Sequence, residues 1–196
     1  MKTKTYTSFL LLSLLAVATI SSAQNSRFSL GLEAALPLGN NVYSKGSYPY
    51  GGGLSFRYEK PIGDKIGVMG TIGGQYFYSS VSVGAGSVTN LSSYSVVVVP
   101  IMAGGKYYIK DQQDGFYGSF EMGLAVSIGS SESVIIGVPG LPKTSTSDTS
   151  TNFAFAPGFG YHLSRMDFGM RYQSIAGKDG SFDTLNLRIG FVFGER

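Results

Sequence analysis

From Phe28 to Phe193 the chain alternates apolar and polar side chains in eight successive segments, and the gaps between them run long, short, long, short. A period of two puts every second side chain on one face of an extended strand, whereas a helix would need a period of 3.6. The segments span 27–39, 48–60, 65–78, 93–110, 115–129, 151–162, 165–174 and 184–194. The first sets Phe28, Leu30, Leu32, Leu36 and Leu38 against Ser29, Gly31, Glu33 and Gly39. The last sets Leu185, Leu187, Ile189, Phe191 and Phe193 against Asn186, Arg188 and Gly190. Each is long enough to cross a bilayer, which takes a tilted strand of about 9–11 residues.

The gaps and the aromatics say where such strands sit. Gaps at 40–47, 79–92, 130–150 and 175–183 alternate with short ones at 61–64, 111–114 and 163–164. The short ones carry turn residues, as in Pro61-Ile62-Gly63-Asp64 and Asp111-Gln112-Gln113-Asp114-Gly115. On the apolar faces Phe28, Phe56, Tyr107, Phe116, Phe159, Phe191 and Phe193 gather at one end of the strands, and Tyr48, Tyr50, Tyr76, Tyr78 and Phe153 at the other. Leu32, Leu54, Val97, Leu124 and Leu187 lie between them. Two aromatic belts around an aliphatic band, with long loops on one side and tight turns on the other, describe strands that cross an outer membrane. The opposite faces hold mostly Gly, Ala and Ser, too little charge for the outside of a soluble barrel such as a lipocalin, and the chain has no Trp. The fold class that follows is all-β: an eight-stranded antiparallel up-and-down transmembrane β-barrel.

Residues 1–23 read as a cleavable signal peptide: Lys2 and Lys4, an apolar run from Phe9 to Ile20, then Ser21-Ser22-Ala23. The barrel domain is then 24–196. Removing the leader takes two lysines and no acid, so 15 Lys+Arg against 12 Asp+Glu becomes 13 against 12. A near-neutral chain with no charge run has no nucleic-acid footprint. With no Cys there is no disulfide, and the sheet must be held by its own hydrogen bonds.

The leader, the eight strands, the tight even-numbered turns and the closing segment from Leu185 to Phe193 resemble the small bacterial outer-membrane β-barrel family. This family includes OmpA-like and OmpX-like barrels and the porin-family or outer-membrane beta-barrel-domain proteins of Bacteroidota. The resemblance is one of pattern and covers the whole mature chain. It implies an outer-membrane address with both termini in the periplasm. It also implies contact with outer-membrane lipids and lipopolysaccharide, and passage through the barrel-assembly machinery. Gly190, Phe191 and Phe193 match the closing-strand assembly signal, although three residues, Gly194-Glu195-Arg196, follow the terminal aromatic that the signal favours.

Turning the apolar faces to lipid leaves Glu33, Arg57, Glu59, Lys106, Glu121, Arg171 and Arg188 inside. Eight strands enclose a lumen that side chains fill. Glu33 and Arg188 stand at similar height on the strands that close the barrel and are expected to pair, with Lys106 and Glu121 as a second pair. Neutralising Arg188 should then destabilise the barrel by about 3–5 kcal/mol. The same charges would line a narrow conduit if the lumen were open.

Catalytic signals are weak. The single histidine, His162, lies near Ser164 and Asp167, but at the wrong membrane face for outer-leaflet lipid and without a nucleophile elbow. One His and no Cys make no common transition-metal site, so no metal or cofactor is expected. Gly51-Gly52-Gly53 precedes no helix and is not a phosphate loop; it marks a kink or a place where large side chains cross the lumen. The gap at 130–150 is the most individual segment, with Val134, Ile135, Ile136, Val138 and Leu141 forming an apolar knot. It is either an extension of the wall or a loop packing on itself, or else a contact surface for a partner or a lid for an apolar ligand. The expected role is non-enzymatic: an envelope-structural or surface-interaction barrel that meets an extracellular partner through its loops. A narrow porin-like or OmpW-like conduit for small or apolar solutes is the alternative, and a lipid-modifying enzyme a remote one.

Overall fold

The computed structural model describes residues 26–38, 49–85, 88–110, 114–136, 144–177 and 180–193. The signal segment 1–23, the 40–47 gap, Tyr48, Val138, Leu141 and the three C-terminal residues lie outside them. Eight strands follow in order: β1 Arg27–Leu38, β2 Gly51–Pro61, β3 Ile66–Ala85, β4 Val88–Tyr108, β5 Gly115–Ile136, β6 Thr144–Leu163, β7 Met166–Gly177 and β8 Gly180–Phe193. Each pairs antiparallel with the next, and β8 pairs with β1, so the sheet closes into a barrel with no free edge. The start of β1 and the end of β8 then lie at one end, called here the terminal end, where the β2–β3, β4–β5 and β6–β7 connections also lie.

Closure has a measurable stagger. From Glu33 the register runs through Gly53, Gln75, Val98 and Ser127 to Ser150 on β6. In the other direction it runs through Arg188 and Gly169 to Gly160 on the same strand. The ten-residue offset is the shear, and for eight strands it sets a tilt of about 41° and a backbone radius of about 8 Å. A cylinder that narrow leaves an interior about wide enough for side chains to fill.

The ladders run farther than the alternation. β3, β4, β5 and β6 have 20, 21, 22 and 20 residues. The segments expected as loops at 79–92, 130–150 and 175–183 are therefore largely strand. Ala85 faces Val88, Ser133 faces Thr144 and Gly177 faces Gly180 in register. Val134, Ile135 and Ile136 pair with Leu91, Asn90 and Thr89, which makes them wall rather than loop. Beyond the bilayer both faces meet water, so the apolar alternation ends. The backbone still needs hydrogen-bond partners, and Ser, Thr and Val residues suit a strand there. Inside the membrane zone the pattern holds. Leu32 is 67% exposed on the outer wall, and Phe28, Phe116, Phe159, Tyr76, Tyr78 and Phe153 are all exposed at its two ends.

Candidate functional site

The lumen is layered along the barrel axis, and the shear determines which side chains share a layer. Nearest the terminal end lie Tyr108, Tyr117 and His162 with Glu59, Lys106 and Asp167. Arg57, Glu121, Arg171, Glu33 and Arg188 come next. Above them stand Gln75, Gln173, Asn186 and Thr184, all buried. An apolar plug of Phe77, Val96, Val98, Ile175 and small alanines closes the far side, with Phe182 packed edge-on against Phe77 at 5.2 Å. Gly51 gives the Phe77 ring its room, since a Cβ there would stand 2.9 Å from Cγ.

All seven charged residues expected inside are in the lumen, none more than 5% exposed, and an eighth, Asp167, is with them. Among the described residues the buried charges are thus four carboxylates and four cations. Asp167 is the hub. Its Oδ2 lies 3.1 Å from Lys106 Nζ and 3.2 Å from both Arg57 Nη1 and Arg188 Nη1. Tyr117 donates its hydroxyl to Oδ1 at 2.5 Å. Each remaining acid keeps a base of its own. Glu33 meets Arg171 at 3.0 Å, Glu59 meets Lys106 at 3.0 Å, and Glu121 meets Arg57 at 3.2 Å. Arg171 also reaches Glu121 at 3.5 Å, which joins the pairs into one network. Neutral donors supply the rest: Tyr108 donates to Glu59 at 2.6 Å and Gln75 to Glu33 at 2.7 Å. Desolvated charges persist when they are paired and hydrogen-bonded in this way.

Arg188 occupies a slot of bare backbone. A Cβ at Gly31 would come 2.6 Å from its Nε, and one at Gly190 would collide with the guanidinium. The hydroxyls of Ser29 and Ser55 each accept from it at 2.9 Å. Gly190 therefore faces the lumen, while Phe191 and Phe193 stand on the outer wall with ring centres 4.9 Å apart.

Of the two expected pairs one forms and the other does not. Glu33 and Arg188 are register partners and form an ion pair at 4.0 Å, although each has a nearer partner, Arg171 for Glu33 and Asp167 for Arg188. The Lys106–Glu121 pair is corrected: Lys106 lies opposite Ser119 and Glu121 opposite Gly104, so the register and the tilt separate them along the axis. Asp167 was missed because it sits two residues past a turn. Its parity with Arg171 on the same strand is the signal that would have placed it inside. Tyr108, Tyr117 and the plug were also missed.

His162, Ser164 and Asp167 do not assemble a nucleophile. His162 is buried against the Tyr108 ring, its Nδ1 without a hydrogen-bond partner among the described residues, and Asp167 is committed to three cations. Ser164 is exposed in the turn with φ 53°. Among the described residues no group of His, Asp or Glu is arranged to hold a metal.

The sequence matches a family model described as outer membrane protein beta-barrel domain over residues 7–193. No curated protein matches it. Among solved structures it is similar to Ail, the attachment invasion locus protein of Yersinia pestis. The TM-score is 0.50 at 16% identity, covering 86% of this chain and 97% of that one. Ail has also been solved in complex with the heparin analogue sucrose octasulfate, with the same score, identity and coverage. The N-terminal β-barrel domain of Pseudomonas aeruginosa OprF gives a TM-score of 0.45 at 9% identity, over 85% of this chain and 97% of that one. At such identities the likeness to Ail concerns the fold alone. The family model spans all eight strands, and the chain belongs to the outer membrane protein beta-barrel domain family as an integral outer-membrane protein.

Proposed function

We propose that this protein is a closed, non-enzymatic barrel that acts through its surface, anchored in the outer membrane and presenting the β3–β6 extension outward. The leader 1–23 is removed on export. The terminal end, with its short turns, faces the periplasm, and the long strands project from the cell. Gly190, Phe191 and Phe193 serve as the assembly signal read by the barrel-assembly machinery. Outer-membrane lipids and lipopolysaccharide surround the wall.

The observation that carries this reading is the filled lumen. A charge-balanced network occupies its lower half and the Phe77–Phe182 plug its upper half. The conduit reading draws on one feature: Gln75 Oε1 and both amide atoms of buried Gln173 have no protein partner among the described residues, so water or a small solute would satisfy them. The two readings separate in a planar bilayer. The refolded protein, verified by different gel mobility before and after boiling, is expected to show no steady single-channel conductance. Steady conductance that shifts with Glu121→Gln would establish the conduit instead.

A further inference from the structure

Outside the lumen, the β3–β6 extension carries a groove of 480 Å³. One register row crosses it from strand to strand: Tyr78 faces Ser95, Ser95 faces Ser130, and Ser130 faces Ser147. The next row outward brings Ser93, Glu132 and Ser145 together in the same way. By the strand alternation these side chains belong to the outer wall, not to the lumen. Tyr76 and Tyr78 form the lower rim, 51% and 50% exposed.

The lining selects by chemistry. On this face it offers serine hydroxyls, the rings of Tyr76 and Tyr78 and the Glu132 carboxylate, with Tyr94, Ser131 and Thr146, of the opposite parity, between them; among the described residues no Lys, Arg or His takes part. Glu132 would repel a phosphate or sulfate, and none of the described lining residues is a cation that would hold an anionic headgroup. A lipid tail would leave the hydroxyls without partners. A hydroxyl both donates and accepts, as do the hydroxyls of a sugar, and an exposed tyrosine ring offers a flat apolar face to a pyranose C–H face with a polar tip beside it. Position narrows the source. Tyr76 and Tyr78 belong to the upper aromatic belt, the level of the headgroups, and the groove rises from that level away from the membrane. We infer that the groove binds the uncharged sugar headgroup of a glycolipid in the surrounding leaflet. The inference rests on the surface-interaction reading above and supplies the chemical class of its ligand.

The test uses the full refolded barrel in phosphatidylcholine nanodiscs carrying digalactosyl diacylglycerol, or phosphatidylglycerol as the anionic comparison, with retained lipid counted by native mass spectrometry. Digalactosyl lipid should be retained in preference to both phospholipids. The double variant Tyr76→Ala/Tyr78→Ala should lower that retention about tenfold, as loss of aromatic stacking implies. Ser130→Leu, which fills the groove without touching the belt, should do the same. Tyr107→Ala, exposed on the outer wall at the terminal end, should leave retention unchanged. Heat-modified gel mobility confirms that each variant is folded. Equal retention of all lipids, preference for the anionic one, or indifference to both groove variants would overturn the inference. Binding of free lactose as tightly as the glycolipid would overturn the membrane-borne source. A barrel silent in the planar bilayer that retains no glycolipid refutes this inference and leaves the closed-barrel reading standing; a conducting barrel that retains it does the reverse.

Discussion

Asp167→Asn should be among the most damaging isosteric changes in this barrel. The carboxylate touches three cations at 3.1 to 3.2 Å. At that distance and an effective dielectric constant of about 20, each contact contributes about 5 kcal/mol of gross attraction. Most of this offsets desolvation, so breaking the arrangement costs about 3–5 kcal/mol. Asparagine can still accept from Tyr117, but it leaves four buried cations facing three carboxylates. The compensating change is specific. Arg188→Met alone should cost about 3–5 kcal/mol for the converse reason, a carboxylate in excess. The double variant leaves Glu33–Arg171, Glu59–Lys106 and Glu121–Arg57, three closed pairs at 3.0, 3.0 and 3.2 Å. Its cost should fall short of the sum of the single costs by at least about 2 kcal/mol, within the range of directly coupled side chains. Urea unfolding of the four proteins in phospholipid vesicles, followed by gel mobility, measures the cycle. Costs that add to within about 0.5 kcal/mol would refute the idea that charge balance, rather than each contact separately, holds the lumen together.

Two further outcomes follow from the layering and the outer wall. Phe77→Ala removes the fully buried ring of the plug and should cost about 3–5 kcal/mol, yet the bilayer recording should stay silent because the charged layer beneath still fills the bore; conductance in that variant would show that the plug alone closes the lumen. Leu32→Arg, at mid-height on the lipid face beside Leu54 and Ile189, should cost about 2–4 kcal/mol, whereas Ile109→Arg beyond the end of β4 should cost about 0–1 kcal/mol, both read from vesicle unfolding midpoints.

Within the membrane zone the strands and their faces were legible because the instruction is local. Leu30 faces lipid and Ser29 the lumen through two adjacent covalent geometries, with no reference to the rest of the chain. The same rule would have placed Asp167 inside, had the turn beside it not masked its parity with Arg171. Where water lies on both sides the rule falls silent, which is why the ladder from Val81 to Ala85 was invisible in the pattern and that from Ser130 to Ile136 was only one reading among several.

Taken alone, then, the sequence determined the number of strands, their lipid faces, the seven charges turned inward and the membrane they cross, since each depends on alternation, turn residues and composition along short stretches. The tertiary structure decided who pairs with whom. Lys106 meets Glu59 and Asp167 rather than Glu121, and Arg171 rather than Arg188 lies nearest Glu33, because height in a tilted barrel is fixed by the ten-residue shear. That stagger belongs to all eight pairings at once and exists only when β8 closes on β1.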